Sequence, residues 1–170
     1  MTIVSRGIRH LAVAVIANSS LFSAQPALAA GPDGPVLLEL VPPDGGESVR
    51  LTREDLEALP QTGFETTTTW TGGKITFSGP LLADVVALAD LTGETLRAFA
   101  ENEYSVLIPP EVIGKDAPIV ALRMNGQPFS RRQLGPLWIV FPYDFDPAYR
   151  SEAIYAMSIW QLDRIQQDPG

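Results

Sequence analysis

Short apolar segments separated by turn residues run along the chain from about position 36 to position 165. Runs of apolar and β-branched residues predict strands or extended segments over residues 36–41, 49–51, 64–71, 75–77, 95–100, 105–108, 119–124, 137–141 and 155–165. We expect Trp160, within the last of these segments, to be buried. Clusters of Gly, Pro, Asp and Asn between them predict turns.

Two segments have the period of an amphipathic helix instead. Thr52 and Asp55 approximate a capping box before Leu56, and Pro60 ends that segment. Residues 81–89 place apolar side chains at helical spacing and predict a second short helix. Many short strands and two short helices in mixed order predict an α+β fold: one compact domain of mixed β-sheets with short helices.

The segment 125–144 contains the strongest local signals. Asn125-Gly126 predicts a tight hairpin turn, because both central residues of a type I′ turn need positive φ. The apolar run 137–141 predicts a buried strand. Arg131 and Arg132 lie between the two, and adjacent guanidinium groups beside a buried strand can bind an anion or a planar polar ligand. A hairpin edge with two solvated arginines fits the same residues, and the pattern alone leaves both interpretations open.

The first 29 residues have the features of a signal peptide. Arg6 and Arg9 are followed by the apolar run 11–16, and the Ala-Leu-Ala triplet at 27–29 is a typical cleavage signal. We therefore expect a signal peptide over residues 1–29 and one domain over residues 30–170, with its core over about 36–165. This organisation predicts a secreted protein, periplasmic in a Gram-negative source.

Composition restricts the chemistry of the expected mature chain. The sequence contains no Cys, and its one histidine, His10, lies in the expected signal peptide. Catalysis by Ser-His-Asp or Cys-His groups is therefore excluded, as is a zinc site of the usual nitrogen and sulfur type. Without the two signal-peptide arginines, 10 of the 12 basic residues remain against 20 acidic residues, which gives the expected mature chain a formal charge of −10. This charge argues against binding to nucleic acid or to an anionic membrane.

Two further groups of side chains are candidates for a binding site. Trp70 lies between threonines and a double glycine, where it could stack on a flat heterocycle or simply fill the core. Asn102, Glu103 and Tyr104 form a predicted turn that could contact the polar edges of a ligand, or be solvated. Asp144 follows the strand 137–141, where it could pair with one of the two arginines or contact a ligand.

Five sequence blocks, taken in order, resemble the molybdopterin-binding domain of the sulfite oxidase type. The blocks are TTWTGG, GPLLADVV, NEYSVLIP, the stretch from NGQPF through RR to GPLWIVFPYD, and SIWQLDRI. The resemblance covers about residues 36–165 and is closest to the small secreted members that bind a pterin without metal. It implies a sulfite-oxidase-like fold.

The resemblance also implies a function. Full-length enzymes of that superfamily hold molybdenum through a cysteine near the position of residues 66–73, and this chain has no cysteine. It therefore resembles a pterin-binding receptor, with a free reduced pterin favoured over the molybdenum cofactor. Such receptors report to the periplasmic domain of an inner-membrane cyclic-di-GMP enzyme. A molybdopterin-dependent oxidoreductase subunit without the cysteine ligand is the alternative. The expected pterin site consists of Trp70, Asn102, Glu103, Tyr104, Arg131 and Arg132, with no catalytic or metal-binding residue.

Overall fold

The computed structural model describes residues 34–170, so the expected signal peptide lies outside the described residues. The described chain is an α+β domain of several sheets and three short helices, which confirms the fold class. No helix in this range is long and apolar enough to cross a membrane. The strands are β1 Leu38–Val41, β2 Val49–Leu51, β3 Gln61–Thr67, β4 Lys74–Pro80, β5 Leu96–Ala100, β6 Ser105–Ile108, β7 Ile119–Ala121, β8 Arg123–Met124, β9 Gln127–Pro128, β10 Trp138–Val140 and β11 Leu162–Gln167. The helices are α1 Arg53–Ala58, α2 Leu82–Ala87 and α3 Glu152–Met157.

The largest sheet combines the two ends of the described chain. Its strand order is β2-β1-β11-β5-β6, and β11 lies parallel to β1 but antiparallel to β5. The strand burial alternates along β5, where Leu96, Ala98 and Ala100 face the core. The first and last described strands, β1 and β11, are thus neighbours in this sheet.

A four-stranded sheet, β3-β4-β8-β9, and a two-stranded sheet, β10-β7, complete the fold. The backbone N–H of Leu122 donates to the carbonyl of Ser78, which joins the end of β7 to β4. Gly79 makes this approach possible, because a Cβ at that position would overlap the Val120 carbonyl oxygen. The sheets therefore meet backbone to backbone at β4 and β7.

Local signals placed α1 and the hairpin correctly. The Thr52 hydroxyl accepts from the Asp55 N–H, and the Asp55 carboxylate accepts from the Thr52 N–H, so the capping box is confirmed. Asn125 and Gly126 have φ of 51° and 77°, as a type I′ turn between β8 and β9 requires.

Three segments differ from the expectation. The extended segment 64–71 stops at the end of β3, at Thr67, and residues 68–71 form a turn. The segment 119–124 is not one strand, because Leu122 bonds to Ser78 between β7 and β8. The segment 155–165 is only partly a strand: Tyr155 belongs to α3, which begins after Ser151, and β11 begins at Leu162. The Ser151 hydroxyl accepts from the Ile154 N–H, so a helix cap competes successfully with the strand-like pattern. Trp160 is half-buried rather than buried.

We predict that Gly79→Ala destabilises the domain strongly. The new methyl group would collide with the Val120 backbone, which cannot rotate away, so we expect the free energy of unfolding to fall by about 2 kcal/mol or more. Chemical denaturation measures this change. Gly72→Ala is the control, since no atom lies within 4 Å of a Cβ there and we expect a change within about 0.5 kcal/mol. Equal effects of the two variants would contradict the close approach of β4 and β7.

Candidate functional site

An open cavity of about 400 Å³ lies beside the segment that connects α3 to β11. Its volume is in the range of small-molecule sites, and its wall is mostly aromatic and aliphatic with a few polar groups. The lining residues are Trp70, Ala100, Asn102, Tyr104, Tyr155, Ala156, Ser158, Ile159 and Trp160. They come from three places in the chain: the β3–β4 loop, the β5–β6 turn with the end of β5, and the end of α3 with the segment after it.

The β3–β4 loop carries Trp70 into the wall. The Thr68 hydroxyl oxygen accepts from the backbone N–H of Trp70 at 3.1 Å and of Thr71 at 3.0 Å. The Thr68 and Thr71 hydroxyls also lie 2.8 Å apart within hydrogen-bond geometry. Threonine side chains therefore satisfy N–H groups that the strand ladder no longer pairs, and they fold the loop into a compact turn.

The β5–β6 turn carries Asn102 and Tyr104. The Asn102 side-chain oxygen accepts from the Tyr104 N–H at 3.1 Å, which is an Asx turn. Glu103, between them, has φ of 64°. The Tyr104 ring is 58% exposed although it lines the cavity, so it stands at the rim.

The segment after α3 is held by buried bonds at Ser158. Its hydroxyl accepts from the Tyr143 hydroxyl at 2.6 Å and donates to the Ile154 carbonyl at 2.8 Å, and its carbonyl accepts from the Trp138 indole N–H at 3.2 Å. Burial raises the pKa of the Tyr143 phenol to about 12, so this phenol stays a neutral donor at physiological pH. The Ile139 N–H donates to the Ile159 carbonyl at 2.9 Å and attaches the same segment to β10.

Three aromatic rings pack edge to face around Trp70. Its ring centroid lies 5.4 Å from Trp160, 5.7 Å from Trp138 and 5.9 Å from Tyr155, with interplanar angles of 69°, 70° and 83°. This is the favourable T-shaped arrangement of aromatic pairs. Trp138 is fully buried, whereas Trp70, Tyr155 and Trp160 are half-buried and line the cavity. The wall of the cavity is thus continuous with the core.

The structure brings together three of the six residues expected from the sequence. Trp70, Asn102 and Tyr104 line the one cavity. Trp70 also packs on core rings, and its stacking on a ligand stays a prediction. Glu103, Arg131 and Arg132 are not among the lining residues of this cavity, and their contact with a ligand stays a prediction.

Of the three remaining residues, two form ion pairs with other side chains and one is exposed. The Glu103 carboxylate is 2.9 Å from the Arg164 guanidinium, which also stacks 4.1 Å over the Phe99 ring. Arg131 pairs with Glu101 at 2.8 Å. Arg132 is exposed on a single 3₁₀ turn.

Arg131 and Glu101 line a second, more open groove with Asp163 and residues 35–37. Within the described part of the chain, one oxygen of Asp163 is buried without a hydrogen-bond partner. Burial raises the pKa of Asp163, the Arg164 guanidinium opposes that shift, and the Glu103 carboxylate adds to it. The groove has charges of both signs, in contrast to the aromatic cavity.

Asp144 makes structural contacts. Its carboxylate accepts from the Thr67 N–H at 2.7 Å and the Thr67 hydroxyl at 2.8 Å, and it pairs with Arg150 at 2.9 Å. The partner is therefore neither Arg131 nor Arg132. Asp144 connects the end of β3, where the loop of Trp70 begins, to the segment after β10.

Six lining residues had no place in the sequence-based site, and Tyr155, Ser158 and Trp160 are the polar or aromatic ones among them. The segment 155–165 was expected to be a strand, which would have separated these side chains. Ser151 followed by Glu152 and helix-forming residues was the signal for α3, and it would have brought Tyr155 and Ser158 close together at the end of a helix.

The lining residues fit some ligands and not others. They include no thiolate, imidazole, carboxylate or cation. Molybdenum in its cofactor prefers a soft sulfur ligand, and the cofactor's phosphate favours a cation, so this donor set does not fit that group. Within residues 34–170, no group of three His, Cys, Asp or Glu side chains is placed to hold a metal ion.

No protein-family model matches the chain, and no curated protein matches it.

We predict that Ser158→Ala and Tyr143→Phe are strongly coupled. Ser158→Ala leaves the buried Tyr143 hydroxyl without its acceptor, so we expect it to cost about 1–3 kcal/mol of stability. In the double variant the orphaned hydroxyl is gone, and the total loss should be smaller than the sum of the two single losses by about 0.5 kcal/mol or more. A double-mutant cycle by chemical denaturation measures this. Strictly additive losses would show that the two hydroxyls do not interact.

We predict that Asp144 makes stability depend on acid pH. The Thr67 hydroxyl and N–H, with a smaller contribution from Arg150, hold the pKa of Asp144 below its ordinary 3.8. The ionised form is therefore favoured by folding, and this stabilisation is present above the unfolded pKa and lost as pH falls through the folded pKa. Denaturation of the wild type and of Asp144→Asn between pH 7 and pH 3 should show a difference that narrows towards pH 3. A difference independent of pH would contradict the shift.

Proposed function

We propose that this protein binds a free reduced pterin in the aromatic cavity and acts as a receptor rather than as an enzyme. The observation that carries the proposal is a cavity of about 400 Å³ with aromatic walls and an uncharged lining. A bicyclic pterin is flat, uncharged and small enough for such a volume. The resemblance of the sequence blocks to small pterin-binding proteins supports the same ligand class.

The aromatic residues supply the main binding energy in this proposal. Trp70, Tyr155 and Trp160 are half-buried, so each has surface available to a ligand ring. Their edge-to-face packing restrains the rings before a ligand arrives, so little side-chain entropy is lost on binding. Stacking on one such ring contributes about 0.5–1.5 kcal/mol beyond the buried area.

The polar groups of the lining favour binding over catalysis. The Ser158 hydroxyl is occupied by Tyr143 and Ile154. A hydroxyl whose proton is donated to a backbone carbonyl is poorly placed to attack a substrate. The lining has no carboxylate, amine, imidazole or thiol, so the phenols of Tyr104 and Tyr155 are the only side chains in it that commonly act as an acid or a base. The oxidoreductase alternative would have to rely on these two phenols and on a bound cofactor.

As a receptor, the protein would report the ligand to a second protein. The resemblance and the expected signal peptide support a periplasmic location and a partner at the inner membrane, such as the periplasmic domain of a cyclic-di-GMP enzyme. The cavity opens beside the exposed ring of Tyr104, so a bound ligand would change a surface that a partner could contact.

We predict that Tyr104→Ala weakens pterin binding without unfolding the protein. The ring is 58% exposed at the rim of the cavity, so its loss removes ligand contacts but few core contacts. We expect a loss of about 1 kcal/mol or more in a calorimetric titration with 7,8-dihydropterin, together with quenching of tryptophan fluorescence in the wild type.

Phe145→Ala is the matched control, since this ring is 87% exposed and does not line the cavity. It should bind the pterin as the wild type does. The proposed function fails if the wild type binds no pterin, and the assignment to this cavity fails if Tyr104→Ala binds as tightly as Phe145→Ala.

A further inference from the structure

The side-chain amide of Asn102 lies at the cavity rim, and its hydrogen-bonding orientation can be read from the structure. The backbone N–H of Tyr104 can only donate, so the Asn102 atom 3.1 Å from it is the amide oxygen. The amide orientation is thereby determined, and the group left for a ligand is the NH₂, which is a donor. No hydrogen bond to this NH₂ is made by the described residues.

The other side chains of the lining do not offset this polarity. The indole N–H groups of Trp70 and Trp160 can only donate, and the hydroxyls of Tyr104 and Tyr155 can rotate to donate or accept. The Ser158 hydroxyl is committed to Tyr143 and Ile154. Apart from the Asn102 oxygen, which already accepts from the Tyr104 N–H, every side-chain group of fixed polarity in the lining is thus a donor, and no carboxylate stands among them.

We infer that Asn102 determines ligand specificity: the cavity selects a flat heterocycle that presents a hydrogen-bond acceptor to the Asn102 NH₂. This inference rests on the proposed function and goes further, because it states which edge of the ligand is recognised. In a pterin, the 4-oxo oxygen and the adjacent ring nitrogen N5 form such an acceptor edge. A 4-amino pteridine of the same size presents a donor at position 4 and would leave two donors facing each other, which is unfavourable when they are desolvated.

Two probes that differ at position 4 test the inference. They are 2-amino-4-oxopteridine and 2,4-diaminopteridine, titrated into the wild-type protein by calorimetry or by quenching of tryptophan fluorescence. We expect the 4-oxo compound to bind about tenfold or more tightly. This comparison needs no variant, so it stands even if a substitution disturbs folding.

Asn102→Asp reverses the polarity and keeps the turn. A carboxylate oxygen can still accept from the Tyr104 N–H, but the free end becomes an acceptor. We expect the variant to lose about tenfold or more in affinity for the 4-oxo compound and to gain affinity for the diamino compound. Its thermal unfolding temperature should stay close to that of the wild type.

Asn125→Asp is the matched control. The Asn125 side-chain oxygen also accepts a backbone N–H, that of Thr76 at 3.1 Å, but this residue lies in the β8–β9 turn and does not line the cavity. The substitution adds the same charge to the protein, so a general charge effect would appear in both variants. We expect the control to bind both probes as the wild type does.

The outcomes separate the inference from the proposed function. If the wild type binds both probes equally, or if Asn102→Asp keeps the wild-type preference, the role of Asn102 is overturned while pterin binding stands. If neither probe binds and 7,8-dihydropterin does not bind either, the proposed function falls and the inference with it. If Asn102→Asp reverses the preference between the two probes and Asn125→Asp does not, both the inference and the proposed function are supported.

Discussion

The site depends on one buried serine. Ser158 accepts from the Tyr143 hydroxyl, donates to the Ile154 carbonyl, and through its own carbonyl accepts from the Trp138 indole. These bonds join α3, β10 and the segment after α3 in a water-poor environment, where each satisfied group avoids a desolvation cost of about 1–3 kcal/mol. Because the segment is held here, Trp160 has a defined position beside Trp138 and completes the aromatic wall. Removing the serine would loosen the wall as well as the core.

The loops around the cavity are ordered by side chains rather than by strand pairing. Thr68 and Asn102 each accept backbone N–H groups of their own loop, and Asp144 accepts the N–H of Thr67 where β3 ends. Polar residues at these positions end the sheet ladders and replace the lost hydrogen bonds. The rim residues thereby have fixed positions although they lie outside regular structure. The rim of the cavity is thus built from loops that the adjacent sheets hold in place.

Sequence patterns predict those features that residues close in the chain determine. Asn125 needs only its neighbour to form the turn, so that hairpin was predictable. Leu122 ends β7 by bonding to Ser78 on another strand, and no local pattern indicates such a contact. The same holds for the cavity. Trp70 is a candidate because of its residue type and its threonine- and glycine-rich neighbours. Its packing against Trp160, however, depends on how α3 and the following segment fold. The predicted residues that line the cavity therefore include Asn102 and Tyr104, which one short turn carries. The lining residues of the segment after α3 were missed, because their position depends on contacts between distant segments.

The cavity itself is an argument for a ligand. Aromatic residues gain most stability when their faces are covered, and an unfilled space beside Trp70, Tyr155 and Trp160 forgoes that contact. Tyr155 and Trp160 pack edge to face on Trp70 at 5.4–5.9 Å, and all three rings stay half-buried with surface that faces the cavity. The adjacent Asn102 is fixed by Tyr104 with its donor end unpaired among the described residues. A flat ligand with an acceptor edge would cover the accessible aromatic surface and pair with this donor at once.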